Sequence, residues 1–398
     1  MLTSSNLGPA CLPDRPWRKT MAAMNSDPGY LQRARRIVEE VVAPHACDVD
    51  RGQFPRTAMR SLGAAGLLGL TSAEDVGGAG LGLRAAAEVV ELVGGACGST
   101  GMVLCMHYCG TAVIERHGPR AVRAAIAAGE HITTLAFSEA GSRSHFWAPV
   151  STARAVPGDR IRLDAEKSWS TSAGQADSYV WSSQPVAAQE LSTLWLVPAN
   201  APGLSVPRPF DGLGLRGNSS APIRAENVLV DASAMLGLDG GGLDIMMTTV
   251  LPHFQVLSAA CYVGLVDAAV TGAVAHASRA RFAHIDQTLA DLPTIRAFVA
   301  RCIVKRDMAR ALLADTLAAL ESSRPDALLR VLEVKAAAAE VATEVTELAM
   351  RICGGAAYRK EVGVERQFRD AHAATVMSPT TDLLYDFIGK HVCGLPLL

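Results

Sequence analysis

Short strand-like runs fill residues 133–237, and helical periodicity lies on both sides of them. "STARAV", "IRLDAEKSWSTS", "SYVWSS", "STLWLVPA", "LSVPRPF" and "RAENVLV" are separated by Gly-, Pro-, Asp- and Ser-containing breaks, the composition that turns one strand back on the next. They predict a small β-domain, a barrel or a sandwich. Upstream, "SDPGYLQRARRIVEEVV" predicts a helix starting at Ser26 or Asp27 with Pro28 just inside it. Leu31, Ala34, Ile37, Val38, Val41 and Val42 there share one helical face. Downstream of "GLDGGGLD", long helices are expected over 247–282, 293–321, 325–353 and 379–393, the third stopping at Gly354-Gly355. The fold class is therefore α+β, mostly α. It comprises a disordered tail (1–26), a helical N-terminal domain (27–132), the central β-domain (133–237) and a C-terminal four-helix bundle (238–398).

A chain of 398 residues with 49% hydrophobic and 19% charged side chains has material for two or three packed units. The formal net charge is -2, from 37 basic and 39 acidic residues, so no whole-chain field draws it to nucleic acid or to an anionic membrane. Every apolar stretch is broken by Arg, Asp, Glu or His, and no bilayer span is expected. Nine cysteines without a C-x-x-C pair suit free thiols in a reducing compartment, so the expected location is the cytoplasm. "CMHYC" at Cys105–Cys109 lacks the further ligands a zinc site needs, and core packing is expected there, with no metal. Residues 1–25 have no apolar core of a secretory signal. Met21 and Met24 are alternative starts, and the Arg and Ser content also suits a transit peptide.

Several short motifs admit more than one use. "GLGLRG" at Gly212–Gly217 has dinucleotide-loop spacing but is followed by a strand, so a Gly-rich turn is the better account. "LAFSEAGSRSH" (Leu135–His145) is a small-residue loop able to present backbone N–H groups to a phosphate or a flavin edge. In "EKSWSTSAG", Trp169 and Thr171 are two residues apart on a strand and share a face, which suits a planar cofactor as well as core packing. In "VMSPTTDLL", Ser378 is expected to cap a helix with Pro379 at its first position.

In this order, "SEAGS", "EKSWSTSAGQAD", "GLGLRGNSS", "RARF" and "GGAAYRKEVGVERQFRDA" resemble the signatures of the acyl-CoA dehydrogenase superfamily, over nearly the whole chain from Asp27. The resemblance implies the acyl-CoA dehydrogenase fold and FAD between the β-domain and the bundle. Leu135, Phe137, Ser138 and Ser142 would line the flavin and pyrophosphate, Trp169 would stack near the isoalloxazine, and Thr171 would hydrogen-bond its N5 edge. Arg279, Phe282, Gly354 and Gly355 would reach the cofactor of a neighbouring subunit in a homotetramer, a dimer of dimers. Thr380 and Asp382 match positions at the adenosine end and pyrophosphate. The chain departs from the pattern in a shortened first loop, in Ala283 after "RARF", and in Arg351 where glutamine is usual.

The largest departure concerns the base. Dehydrogenases of this family remove the substrate α-proton with a glutamate, and alignment puts Ser378 there. The alternative carboxylate position, on the first bundle helix, holds Phe254, followed by Gln255 in place of a usual arginine. The histidine that marks oxygenating relatives is replaced by Met377. His253 is the imidazole that alignment brings near, and a serine hydroxyl needs a neighbouring base before it accepts a proton. Three functions follow from the resemblance. One is a flavin oxidoreductase acting on an acyl thioester (CoA- or carrier-protein-bound) or a related substrate, with an electron-transfer partner. The second is a reduced-flavin-dependent monooxygenase served by a flavin reductase, and the third a non-catalytic FAD-binding partner subunit.

Overall fold

The computed structural model describes residues 28–142, 145–360 and 362–398. The expected tail and the helix start at Ser26 or Asp27 lie outside them. The first helix, α1 (Gly29–Ile37), follows Pro28 at its N-cap, so the proline precedes the helix. The chain continues through one π-helical turn, Val38–Val42, into α2 (Ala43–Asp50). Then come α3 (Arg56–Ala64), α4 (Leu83–Ala96), α5 (Gly98–His117) and α6 (Arg120–Ala127). On α5 the Cys105 and Cys109 thiols are fully buried, and His107 is held between the Leu68 carbonyl (3.1 Å) and the Thr133 N–H (3.3 Å). Burial pushes the His107 pKa down to about 4.

The β-domain is a pair of four-stranded sheets. One runs β1 (Thr133–Ala136), β4 (Ser178–Ser183), β5 (Thr193–Pro198), β8 (Met235–Leu236). The other runs β2 (Thr152–Val156), β3 (Arg160–Ser170), β7 (Ala221–Asp231), β6 (Leu204–Ser205). All pairs are antiparallel except β1 with β4, where Thr133 opposes Ser178. Alternation on β7 buries Ala221, Ile223 and Ala225, then changes phase to bury Val228 and Val230. The change falls at Asn227, whose φ is 54° and whose N–H is held by the Asp164 carboxylate at 2.7 Å. A bulge here keeps both ends of the strand facing the core. The expected "LSVPRPF" strand shrinks to Leu204–Ser205, since Pro207 and Pro209 have no N–H to give a ladder.

The C-terminal bundle consists of α8 (Leu251–Ala277), α9 (Pro293–Glu321), α10 (Ala327–Cys353) and α13 (Thr381–Val392). A short α7 (Gly242–Ile245) and a π-helical turn, Met246–Val250, lead into α8. The helical segment Gly242–Ala277 is long and apolar enough to cross a bilayer, contrary to the expectation from the sequence. Yet 78% of its most apolar window is buried in the protein, as a bundle's central helix must be. It lies against α4 at near backbone contact, because a Cβ on Gly264 would sit 2.0 Å from the Glu91 carbonyl oxygen. The N-terminal domain is thereby fixed to the bundle. Between α10 and α13 run α11 (Val364–Ala371) and α12 (Ala373–Val376).

Asp370 ties this connection to the β-domain, accepting the Leu215 N–H at 2.6 Å from the "GLGLRG" turn. Burial, opposed by that hydrogen bond and by Arg366, pushes the Asp370 carboxyl up to about 6, from an ordinary 3.8. Between those two values the native state binds the extra proton, so stability falls as pH rises through the window, by about 3 kcal/mol for a shift of that size. Asp370→Asn keeps an acceptor for Leu215 and removes the charge. The variant should gain on wild type as pH rises from 4 to 7, checked by urea midpoints at both ends; a constant difference would show that Asp370 does not titrate there.

Candidate active site

A cavity of about 1160 Å³ opens where the β-domain meets the bundle. Its β-side wall comes from the end of β1 and the loop after it (Leu135, Phe137, Ser138), from Trp169 and Thr171 at the end of β3, and from the Phe210–Ser220 turn. Its helical wall comes from Met106 on α5, Val250, Leu251 and Phe254 at the start of α8, and the segment from Arg369 to Pro379.

The β-side wall is held from behind by a buried ion pair. Lys167 Nζ lies 2.5 Å from Glu139 Oε1, with both side chains at 0% exposure. Lys167 also donates to the Ser182 carbonyl at 2.7 Å, while Glu139 accepts from Ser151 Oγ at 2.5 Å and from the Val150 and Ser151 N–H groups at 2.5 and 3.1 Å. Burial works against the carboxylate, but Lys167 and these donors outweigh it and hold the Glu139 pKa below its usual range. The pair fixes the 137–142 loop along β3, where Ser168 N–H reaches the Ser138 carbonyl at 2.9 Å.

On that wall the Trp169 indole is 64% exposed, a bare aromatic face, and meets Phe210 edge-on at 6.3 Å. Thr171 is buried just past the end of β3, with its hydroxyl 3.1 Å from Ser220 Oγ. Both line the cavity, Trp169 from the strand and Thr171 from the turn that follows it. Ser142 does not line it, but its buried Oγ has no partner among the described residues, leaving a donor available to an acceptor such as a phosphate. A bare aromatic face and a hydroxyl pair on the cavity wall, with an unmet hydroxyl in the loop beyond it, suit a flavin cofactor with its phosphates.

The helical wall is shaped by a second buried cation. Lys335 on α10 is fully buried and donates to the carbonyls of Ala374 (3.2 Å), Met377 (3.0 Å) and Pro379 (2.8 Å); burial pushes its pKa down to about 7. With the carbonyls of Met377 and Pro379 turned onto this ammonium, the helix does not start at Pro379. Thr380, in place of the expected Ser378, is the N-cap of α13, its Oγ1 accepting from Leu383 N–H at 3.4 Å. The Ser378–Pro379 peptide is cis. Ser378 and Phe254 both line the cavity, where the family's two carboxylate positions are expected.

Other expected site residues lie elsewhere. His253 is outside the cavity wall, its Nδ1 on the Thr249 carbonyl at 2.7 Å and its pKa pushed down by burial. Arg279, Phe282, Gly354, Gly355, Thr380 and Asp382 also lie outside it. Arg279 bonds the Ala275 carbonyl, and Phe282 sits on the short β9–β10 hairpin, Arg281–Phe282 with Gln287–Thr288. Gly354 has φ 57° and ψ -140°, a backbone suited to glycine, and a Cβ on either Gly354 or Gly355 would meet nothing within 4 Å.

Three family models cover these three units in order. The acyl-CoA dehydrogenase N-terminal domain matches residues 30–129, its middle domain 134–228 and its C-terminal domain 240–393. The chain belongs to the acyl-CoA dehydrogenase family. The short-chain specific acyl-CoA dehydrogenase of Homo sapiens mitochondria is 31% identical over 372 residues, 91% of this chain and 89% of that protein. The butyryl-CoA dehydrogenase structure from Megasphaera elsdenii superposes with a TM-score of 0.86 at 21% identity, covering 93% of this chain and all of that one. A prolyl acyl carrier protein oxidase, AnaB, superposes with a TM-score of 0.83 at 20% identity, over 92% of this chain and 100% of that one.

Among the cavity residues that the sequence did not single out is one imidazole. His372 follows α11 and lines the helical wall, six positions before Ser378. The available signal is an imidazole directly after "RDA", just beyond the family motif.

Proposed function

We propose that this family member is an FAD-dependent oxidoreductase that dehydrogenates an acyl thioester, CoA-linked or carried on an acyl carrier protein, with serine where its relatives place glutamate. The observation that carries this reading is the shared cavity. Leu135, Phe137, Trp169 and Thr171 face Phe254 and Ser378 across one space of about 1160 Å³. Leu135, Phe137 and Ser138 would bear on the flavin, Trp169 would flank its ring, Thr171 would hydrogen-bond its edge, and Ser142 would serve its phosphates. FAD, when bound there, supplies the acceptor for a hydride from the substrate β-carbon. This chain's residues then have to orient the thioester, exclude water and hold the α-proton.

The position of Arg279, Phe282, Gly354 and Gly355 away from the chain's own cavity supports their use at a neighbour's cofactor, and Thr380 and Asp382 would meet the adenosine end and pyrophosphate of FAD. A homotetramer follows, and light scattering of the FAD-loaded protein checks it. Electrons would leave through a partner flavoprotein in the cytoplasm. The carboxylate-free helical wall also fits a reduced-flavin monooxygenase. Product analysis separates the two: with an artificial electron acceptor the thioester should be recovered as its α,β-unsaturated product, whereas an added oxygen atom would identify the monooxygenase. FAD uptake without either product would identify a non-catalytic subunit.

A further inference from the structure

We propose that His372 is the proton acceptor for the substrate α-carbon, taking the place of the carboxylate absent at Ser378 and Phe254. The inference rests on the thioester reading above. Seven ionisable side chains line the described cavity: Glu139, Glu166, Lys167, Arg208, Arg224, Arg369 and His372. The other potential bases are committed. Glu139 is bound by Lys167 at 2.5 Å, and Glu166 accepts from Arg224 at 2.8 Å. Both also stand on the β-side wall, whereas on the helical wall Arg369 is the other charge. That guanidinium is held by Asp50 at 2.7 and 2.8 Å and by Glu365 at 2.7 Å. His372 is the cavity base outside an ion pair.

Its ring is also set for the task. Nδ1 lies 2.7 Å from the Phe368 carbonyl, which only accepts, so Nδ1 carries the hydrogen and the neutral ring keeps its lone pair on Nε2. Phe368 meets the ring edge-on at 4.5 Å and fixes its plane. The helical backbone thus holds Nδ1 of a ring that lines the cavity, which fixes the tautomer a general base requires. In the step, the α-carbon–hydrogen bond breaks, a hydrogen–Nε2 bond forms, and the electron pair stays on carbon, delocalised into the thioester carbonyl. Imidazolium then exchanges its proton with solvent.

Phenylacetyl-CoA tests this without any redox step, because its α-protons are acidic and its β-carbon carries no hydrogen to transfer. FAD-loaded protein in D₂O should catalyse deuterium entry at the α-carbon, followed by mass spectrometry. His372→Ala and the shape-conserving His372→Gln should each lower the exchange rate by about 10²–10⁴ while retaining FAD and the change in flavin absorbance on thioester binding. FAD content and thermal melting report that the variants fold. Exchange at the wild-type rate in both variants would overturn the assignment and leave the thioester reading standing. Wild-type protein that binds the thioester without exchange would also overturn it, and wild-type protein that neither binds nor exchanges would remove the thioester reading together with it.

Discussion

Butyryl-, octanoyl- and isovaleryl-CoA are expected to reduce the FAD-loaded protein only at trace rates, and Ser378→Glu is expected to raise those rates by about 10²-fold or more. The α-protons of simple saturated thioesters are weakly acidic and demand a base placed in line; His372 stands six positions before the family's carboxylate position, and a well-placed general base contributes about 10²–10⁴ in rate. Ser378 lines the cavity between two carbonyls, of Met377 and Pro379, that Lys335 holds in place. A glutamate at 378 therefore projects from a fixed backbone, and since Thr380 provides the α13 cap, the substitution removes no cap. Stopped-flow flavin reduction of both proteins by the three thioesters checks this. Fast wild-type reduction by any of them, or no gain in Ser378→Glu, would show that the missing carboxylate does not limit the reaction.

The second large effect is structural. Lys167→Met should cost about 3–5 kcal/mol of stability, because it leaves the Glu139 carboxylate buried without its cation. Glu139 would still accept from Ser151 and Val150, but those donors carry no net charge. The loop from Phe137 to Ser142 loses its anchor to β3, so FAD should be retained poorly as well. Denaturant unfolding and cofactor retention on gel filtration measure both. Pairing Lys167→Met with Glu139→Gln should recover part of the loss, since no uncompensated charge then remains. A cost below about 1 kcal/mol would mean that the loop is held by its other contacts.

Elements whose side chains pattern locally are legible in the sequence. "SYVWSS" is β4 to the residue, and the helix expected over 293–321 is Pro293–Glu321, bounded by Leu292-Pro293 at one end and Ser322-Ser323 at the other. Elements that depend on a distant partner are less so. All four residues of β1 are buried and show no alternation, and its parallel pairing with β4 is a contact some 45 residues away, so the run reads as part of a loop. The start of α13 depends on Lys335, 44 residues before Pro379, and a local reading of Ser378-Pro379 as a cap has no access to that ammonium. The same limit applies to the histidines. His253 and His372 each bond a carbonyl four residues back, but only folding shows which of them lines the cavity. Trp169 and Thr171 both line the cavity, but β3 stops at Ser170 and its ladder slips between Lys167 and Ser170, so the turn that carries Thr171 sets its direction and strand spacing alone does not.

On the proposed function, this cavity brings an acyl thioester to a flavin as electron donor. The most direct measurement is anaerobic mixing of the FAD-loaded protein with a panel of CoA- and carrier-protein-bound thioesters of increasing α-proton acidity, following flavin absorbance. Stoichiometric bleaching by at least one member, faster for the more acidic ones, is the predicted result. Flavin that stays oxidised with every thioester, while the pre-reduced protein consumes O₂ and oxygenates its substrate, would contradict it.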